Sequence, residues 1–113
     1  MICFALISIG NAEIKITTAN QLIEEMEEYK KADEAKSDND ADFVKATSFA
    51  SYVIAIYDVN LLYKQTCPAE TVTRNQIWNV VIQWIEDNPT RWHEPAAVLV
   101  SQALQSSFPC NEK

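Results

Sequence analysis

Glycine is almost absent. The chain of 113 residues has one, Gly10. Loops that cradle phosphate need glycine so that backbone amides can close on the ligand. Neither a P-loop nor a G-x-G-x-x-G turn is present. Tight two-residue hairpins favour Asn-Gly or Asp-Gly, and neither occurs, which argues against a hairpin-rich β fold. Helices need no glycine, because polar side chains and proline can also end them. Arginine is scarce too, with Arg74 and Arg91 alone. The formal net charge is −7, so the basic footprint that nucleic acid or an anionic membrane demands is missing. No apolar run approaches the ~20 residues of a membrane-spanning helix. Such an acidic chain suits a partner with a basic surface, because opposite potentials speed encounter.

What is present begins with an uncharged leader. Met1 to Ala12 carries no charge, and Gly10-Asn11-Ala12 reads small-x-small ahead of Glu13. That is the form of a secretory signal peptide cleaved after Ala12. No Lys or Arg follows Met1, so the basic leader segment is expected upstream of a start assigned too far along the chain. The alternative is a first strand or buried helix of the mature fold. Residues 1–12 are therefore read as a signal peptide and residues 13–113 as one domain of the commonest size. Removal of the leader takes Cys3 with it and leaves Cys67 and Cys110. An even pair in a small exported domain should bond. The bridge would close a loop of about 43 residues and stabilise the fold by roughly 4 kcal/mol. In a reducing cytosol the two would instead be free thiols. Two cysteines and the single histidine, His93, are too few for a closed four-ligand zinc site. No metal or cofactor is expected.

The rest reads as four helices. Thr18 and Gln21 have the spacing of a capping box, and Leu22, Ile23, Met26 and Tyr29 follow at helical spacing. Residues 33–42 are a polar connection, either a solvated loop or an acidic contact surface. From Ala41 to about Tyr63 a stripe of Phe43, Ala46, Ala50, Val53, Ile54, Tyr57 and Leu61 marks a long amphipathic helix. Apolar residues off that stripe (Phe49, Ile56 and Leu62) predict burial on two sides, hence a central helix. Tyr52, Tyr57 and Tyr63 are expected as core aromatics with hydroxyls at the rim rather than as a ligand wall. Cys67-Pro68 interrupts the pattern, since the residue before proline avoids helix. Thr73 and Gln76 repeat the capping box, with Val72 and Ile77 placed as a hydrophobic staple. Ile77, Val80, Val81, Trp84 and Ile85 then make one face, and Asn88-Pro89 ends it. Pro95 is expected at the first position of the last helix, where its missing amide costs nothing. Ala96, Leu99, Val100, Ala103, Leu104 and Phe108 form the last stripe. The expected fold is all-α, a compact bundle of about four helices with one disulfide.

Catalytic chemistry needs a nucleophile, a base or a metal site. His93 has no second ligand at metal spacing, and Ala97 stands where H-E-x-x-H requires its second histidine. A disulfide would remove both cysteines as nucleophiles. The carboxylates fall on faces expected to be exposed, not where burial raises a pKa. The reading is that the chain is not an enzyme.

The second half carries a further pattern. Tyr57-Asp58, Cys67-Pro68 with Val72-Thr73 and Gln76, Asn88-Pro89 followed by His93-Glu94-Pro95-Ala96, and Ala103-Leu104 with Phe108-Pro109-Cys110 occur in order. Together they resemble the Rap/Tai family of bacterial immunity proteins of type VI secretion systems. The resemblance covers roughly residues 50–110; the first helix and its acidic loop carry no motif of it. Where the family usually has a glycine before Tyr57-Asp58, this chain has Ala55-Ile56. The resemblance implies a small, exported, periplasmic, helical and generally dimeric protein. It would bind an injected amidase, a papain-like or NlpC/P60-like Cys–His hydrolase of peptidoglycan stem peptides, and block its cleft. A carrier of apolar ligands and a structural subunit of an envelope complex are the competing readings.

The contact residues do not follow from the resemblance, because the surfaces that meet the toxin vary with it. A blocker must put something stiff into a cleft, and interface anchors are enriched in Trp, Tyr and Arg. The short, proline-bounded turn of Asn88, Thr90, Arg91, Trp92 and His93 has that chemistry and loses little order on binding. Packing of Trp92 between the last two helices is the structural alternative. Asp38, Asp40, Asp42 and Glu70 are the second candidate surface, through steering of a basic toxin, and Pro68–Thr71 is the third.

Overall fold

A computed structural model describes residues 15–34 and 40–111. Residues 1–12, read above as a signal peptide and including Gly10, lie outside the described residues, as does Asp38. Four helices follow in order: α1 (Ala19–Asp33), α2 (Phe43–Leu62), α3 (Arg74–Glu86) and α4 (Ala96–Ser107), with a short 3-10 turn at Pro89–Arg91 between the last two. No strand occurs among the described residues, and Thr18 and Pro95 form one isolated antiparallel bridge. The all-α expectation stands.

The helix starts are built as their spacing predicts. The Thr18 hydroxyl accepts from the Gln21 amide at 3.3 Å, and the Gln21 side chain accepts from the Thr18 amide at 2.9 Å. Thr73 and Gln76 repeat this at 3.2 and 2.7 Å. Each box satisfies amides that a helix N-terminus otherwise leaves open. Asp42 caps α2, its carboxylate accepting from Val44 and Lys45. The Asp42 amide in turn donates to Glu28 on α1 at 2.8 Å. Pro95 departs from expectation by one position. It is the N-cap of α4, not its first residue, because the bridge to Thr18 holds it in extended backbone.

α2 and α4 each pack against the three other helices. The core joins Leu22 and Met26 of α1, Phe49 and Val53 of α2, Ile77, Val81 and Ile85 of α3, and Ala96, Val100, Ala103 and Leu104 of α4. Tyr29 closes it at one side, its ring 5.3 Å from Phe49 and 5.5 Å from Trp78. The face of α2 differs from the expected stripe. Phe49, read as off the stripe, is fully buried, whereas Phe43 is 65% and Leu61 39% exposed. The helix has only Lys45 and Asp58 as charges. With so little polar contrast around its circumference, periodicity cannot fix its rotation. The inward line is Ala46, Phe49, Val53 and Asn60. Burial on two sides does not extend to the C-terminal turns, where Val59, Leu62 and Tyr63 stand out into solvent. Tyr52 and Tyr57 are half-buried against the core. Burial raises both hydroxyls above their ordinary pKa.

α2 ends without glycine. Tyr63 is its C-cap, and Lys64 takes a left-handed backbone, φ 58°. The Gln65 amide then reaches the Asn60 carbonyl at 2.8 Å and the Lys64 amide reaches Leu61 at 3.0 Å. This is the paired reverse-turn arrangement that usually employs glycine at the left-handed position. Beyond it, Thr66 is buried and its hydroxyl lies 2.9 Å from the Leu104 carbonyl and 3.0 Å from that of Phe108. The Cys67 amide donates to Phe108 at 2.8 Å. Cys67 and Cys110 are joined in a disulfide, Cα to Cα 4.9 Å. The bond pins the end of α4 to the α2–α3 connection, as the cysteine count predicts. Buried Asn60 completes the α2–α4 seam, donating to Ser101 and accepting from Gln105.

Candidate functional site

The turn from Asn88 to Pro95 is held from four directions. Asn88 ends α3 by donating its side-chain amide to the Trp84 carbonyl at 2.8 Å. Arg91 clasps Glu94 with two parallel bonds, Nε to Oε2 at 2.9 Å and Nη2 to Oε1 at 2.8 Å. Such a fork is the strong form of an ion pair. It holds the Glu94 carboxyl below its ordinary value and raises the Arg91 guanidinium further. The same guanidinium lies over the Trp84 ring, 5.4 Å from its centre. Trp92 packs against the core and donates its indole N–H to the Ile85 carbonyl at 2.8 Å.

The fourth tie comes from the other end of the chain. The first two amides of α1, at Ala19 and Asn20, donate to the carbonyls of Glu94 and Trp92 at 2.8 and 2.9 Å. The Ala96 amide returns a bond to Thr17 at 2.8 Å. The turn thus supplies acceptors that the start of α1 needs. What it turns outward is Pro89, Thr90 and His93, all exposed. Beside it runs a groove of about 320 Å³, lined by Asn79, Val80, Gln83, Trp84, Asp87 and Ser107.

The expected site residues therefore divide. Thr90 and His93 form an outward tip. Asn88, Arg91 and Trp92 are partly buried and hold the turn's shape. Asp40, Asp42 and Glu70 are exposed, but Asp42 is committed to capping α2. Glu70 lies in the α2–α3 connection and takes part in no such cap. The backbone acceptors of Trp92 and Glu94 carry no sequence signal, since carbonyls are common to every residue. The Arg91–Glu94 pair does have one, an i,i+3 spacing of opposite charges.

A Cys–His couple cannot be built from Cys67 or Cys110, which are bonded to each other. No group of three or more metal-ligating side chains occurs among the described residues, and none of the described helices is long and apolar enough to cross a membrane. A search of curated proteins finds no match. The family model for Rap1a immunity proteins matches residues 18–110. That span runs from the N-cap of α1 to the second disulfide cysteine, and the chain belongs to the Rap1a immunity protein family.

Proposed function

We propose that this protein binds and inhibits a peptidoglycan amidase delivered by a type VI secretion system, and that it does so in the periplasm by plugging the enzyme's active-site cleft. The observation that carries this reading is the turn at 88–95. A plug gains most when its shape exists before binding. This turn is tied to α1, α3 and the core, and its most exposed residues are Pro89, Thr90 and His93. The net charge of −7 favours rapid encounter with a basic toxin. Membership in an immunity family supports binding to a secreted effector, and a disulfide suits an oxidising compartment.

Two copies would act together through the outer face of α2, where Val59, Leu62 and Tyr63 are exposed. That stretch carries almost none of the acidic excess that makes copies repel. Leu62→Glu should convert a dimer to a monomer in sedimentation; a wild type that sediments as a monomer overturns this part.

The test of inhibition uses a type VI peptidoglycan amidase sought in the adjacent reading frame. Wild-type protein should abolish its hydrolysis of purified peptidoglycan at equimolar ratio. Thr90→Arg combined with His93→Glu alters only exposed side chains and should weaken inhibition at least roughly tenfold. Full inhibition by that variant removes the turn as the plug, and absence of inhibition by the wild type removes the function.

A further inference from the structure

Arg74 is the first residue of α3, next to its N-cap Thr73. A cation there meets the positive end of the helix dipole, which favours anions. Its guanidinium makes no ion pair or hydrogen bond among the described residues. The other arginine, Arg91, is fully engaged by Glu94 and Trp84. A residue that opposes a local preference and gains no local partner leaves its charge available to something outside the fold.

Arg74 stands at the rim of a groove of about 360 Å³ between α2 and α3, lined also by Ala50, Ile54, Asp58 and Trp78. The floor is stiff. The Trp78 indole N–H donates to the Ala50 carbonyl at 3.1 Å, and its ring packs on Tyr29. Asp58 lines the same groove and makes no ion pair among the described residues, with Arg74 or otherwise. One groove therefore holds an unpaired cation, an unpaired anion and an apolar aromatic floor. Its charges cancel, which fits neither a polyanion nor a basic surface.

We infer that this groove binds an extended segment of a protein partner, with an acidic side chain on Arg74, a short apolar side chain on Ile54 and Trp78, and a basic side chain on Asp58. The inference rests on the reading that the chain works by binding a protein. It adds a second contact, in a groove that shares no lining residue with the 88–95 turn. A carboxylate meeting the Arg74 fork gains the geometry of a bidentate pair.

The test titrates ¹⁵N-labelled protein with acetyl-Glu-Leu-Lys-amide and follows the indole N–H signals of Trp78, Trp84 and Trp92. The Trp78 signal should move and saturate while the other two stay. Acetyl-Gln-Leu-Lys-amide should bind roughly tenfold more weakly, as should the first peptide to Arg74→Ala. That variant keeps the fold, since Arg74 is exposed and alanine favours helix. An unmoved Trp78 signal, or equal affinity for the two peptides, overturns the inference. No effector enters this titration, so its failure leaves the amidase reading standing. Conversely, failed inhibition alongside a saturating Trp78 shift overturns only that reading.

Discussion

Replacing Lys64 by glycine should make this protein more stable, although it deletes a side chain and adds backbone freedom. Lys64 holds φ at 58° because the Asn60 and Leu61 carbonyls at the end of α2 draw the chain into a reverse turn. A left-handed conformation costs a residue with a Cβ roughly 1–2 kcal/mol. Glycine escapes that cost but loses about 0.4–1 kcal/mol through the greater entropy of its unfolded chain. The net gain is about 0.5–1 kcal/mol, or a rise of about 4 °C in midpoint for a domain near 100 residues. Lys64→Ala is the control: it removes the same ammonium and keeps the Cβ. Thermal unfolding by circular dichroism, with the disulfide intact, should rank glycine above alanine. Valine should fall below both, since a branched Cβ is the least tolerant of positive φ. A glycine variant no more stable than the alanine one would refute the reasoning, because strain at this residue would then cost nothing.

Other perturbations have equally definite outcomes. Cys67→Ser with Cys110→Ser opens a loop of 43 residues and should cost about 4 kcal/mol in urea unfolding. Thr73→Ala removes the hydroxyl of a capping box and should cost about 1 kcal/mol, with loss of amide protection in the first turn of α3. Trp92→Phe gives up the bond to the Ile85 carbonyl and part of the packing, for about 1–2 kcal/mol in thermal unfolding. Glu94 has its carboxyl lowered by Arg91. Its contribution is therefore present above the unfolded value near 4.5 and disappears as pH falls through the lower folded value. Glu94→Gln should show a shallower loss of stability on acidification than wild type; identical acid limbs would contradict that pairing.

The parts of this fold that were legible in the sequence are those set by short-range geometry. Thr18 with Gln21 and Thr73 with Gln76 announce helix starts because a capping box spans only three residues. Cys67 and Cys110 announce their bond because setting Cys3 aside with the expected signal peptide leaves one pairing. The rotation of α2 was not legible. Phe43 and Phe49 are equally apolar, and only the neighbouring helices decide which turns inward. Asn60 was missed for the opposite reason: a polar residue on a helix reads as exposed, and its partners Ser101 and Gln105 lie some 40 or more positions away. Lys64 carries no mark of its backbone at all. At the candidate site, composition points to the tip residues, but the division between exposed Thr90 and His93 and partly buried Arg91 and Trp92 depends on packing. Arg74 did have a signal, a cation one position after a helix cap, where the dipole disfavours it.

The bonds from Ala19 and Asn20 to Glu94 and Trp92 also bear on the order in which the molecule can be assembled. A ribosome makes α1 before its acceptors, which follow about 75 residues later, so closing that end means joining a long stretch of chain into one loop. Until residues 92–96 have emerged, the amides at the start of α1 have only water and their own cap, and a lone helix of that length is marginal in water. These bonds therefore cannot form until residues 92–96 have been made. For a chain proposed to leave the cytoplasm before folding, that delay is useful: the contact that stiffens the turn in the finished protein is also one that cannot form early.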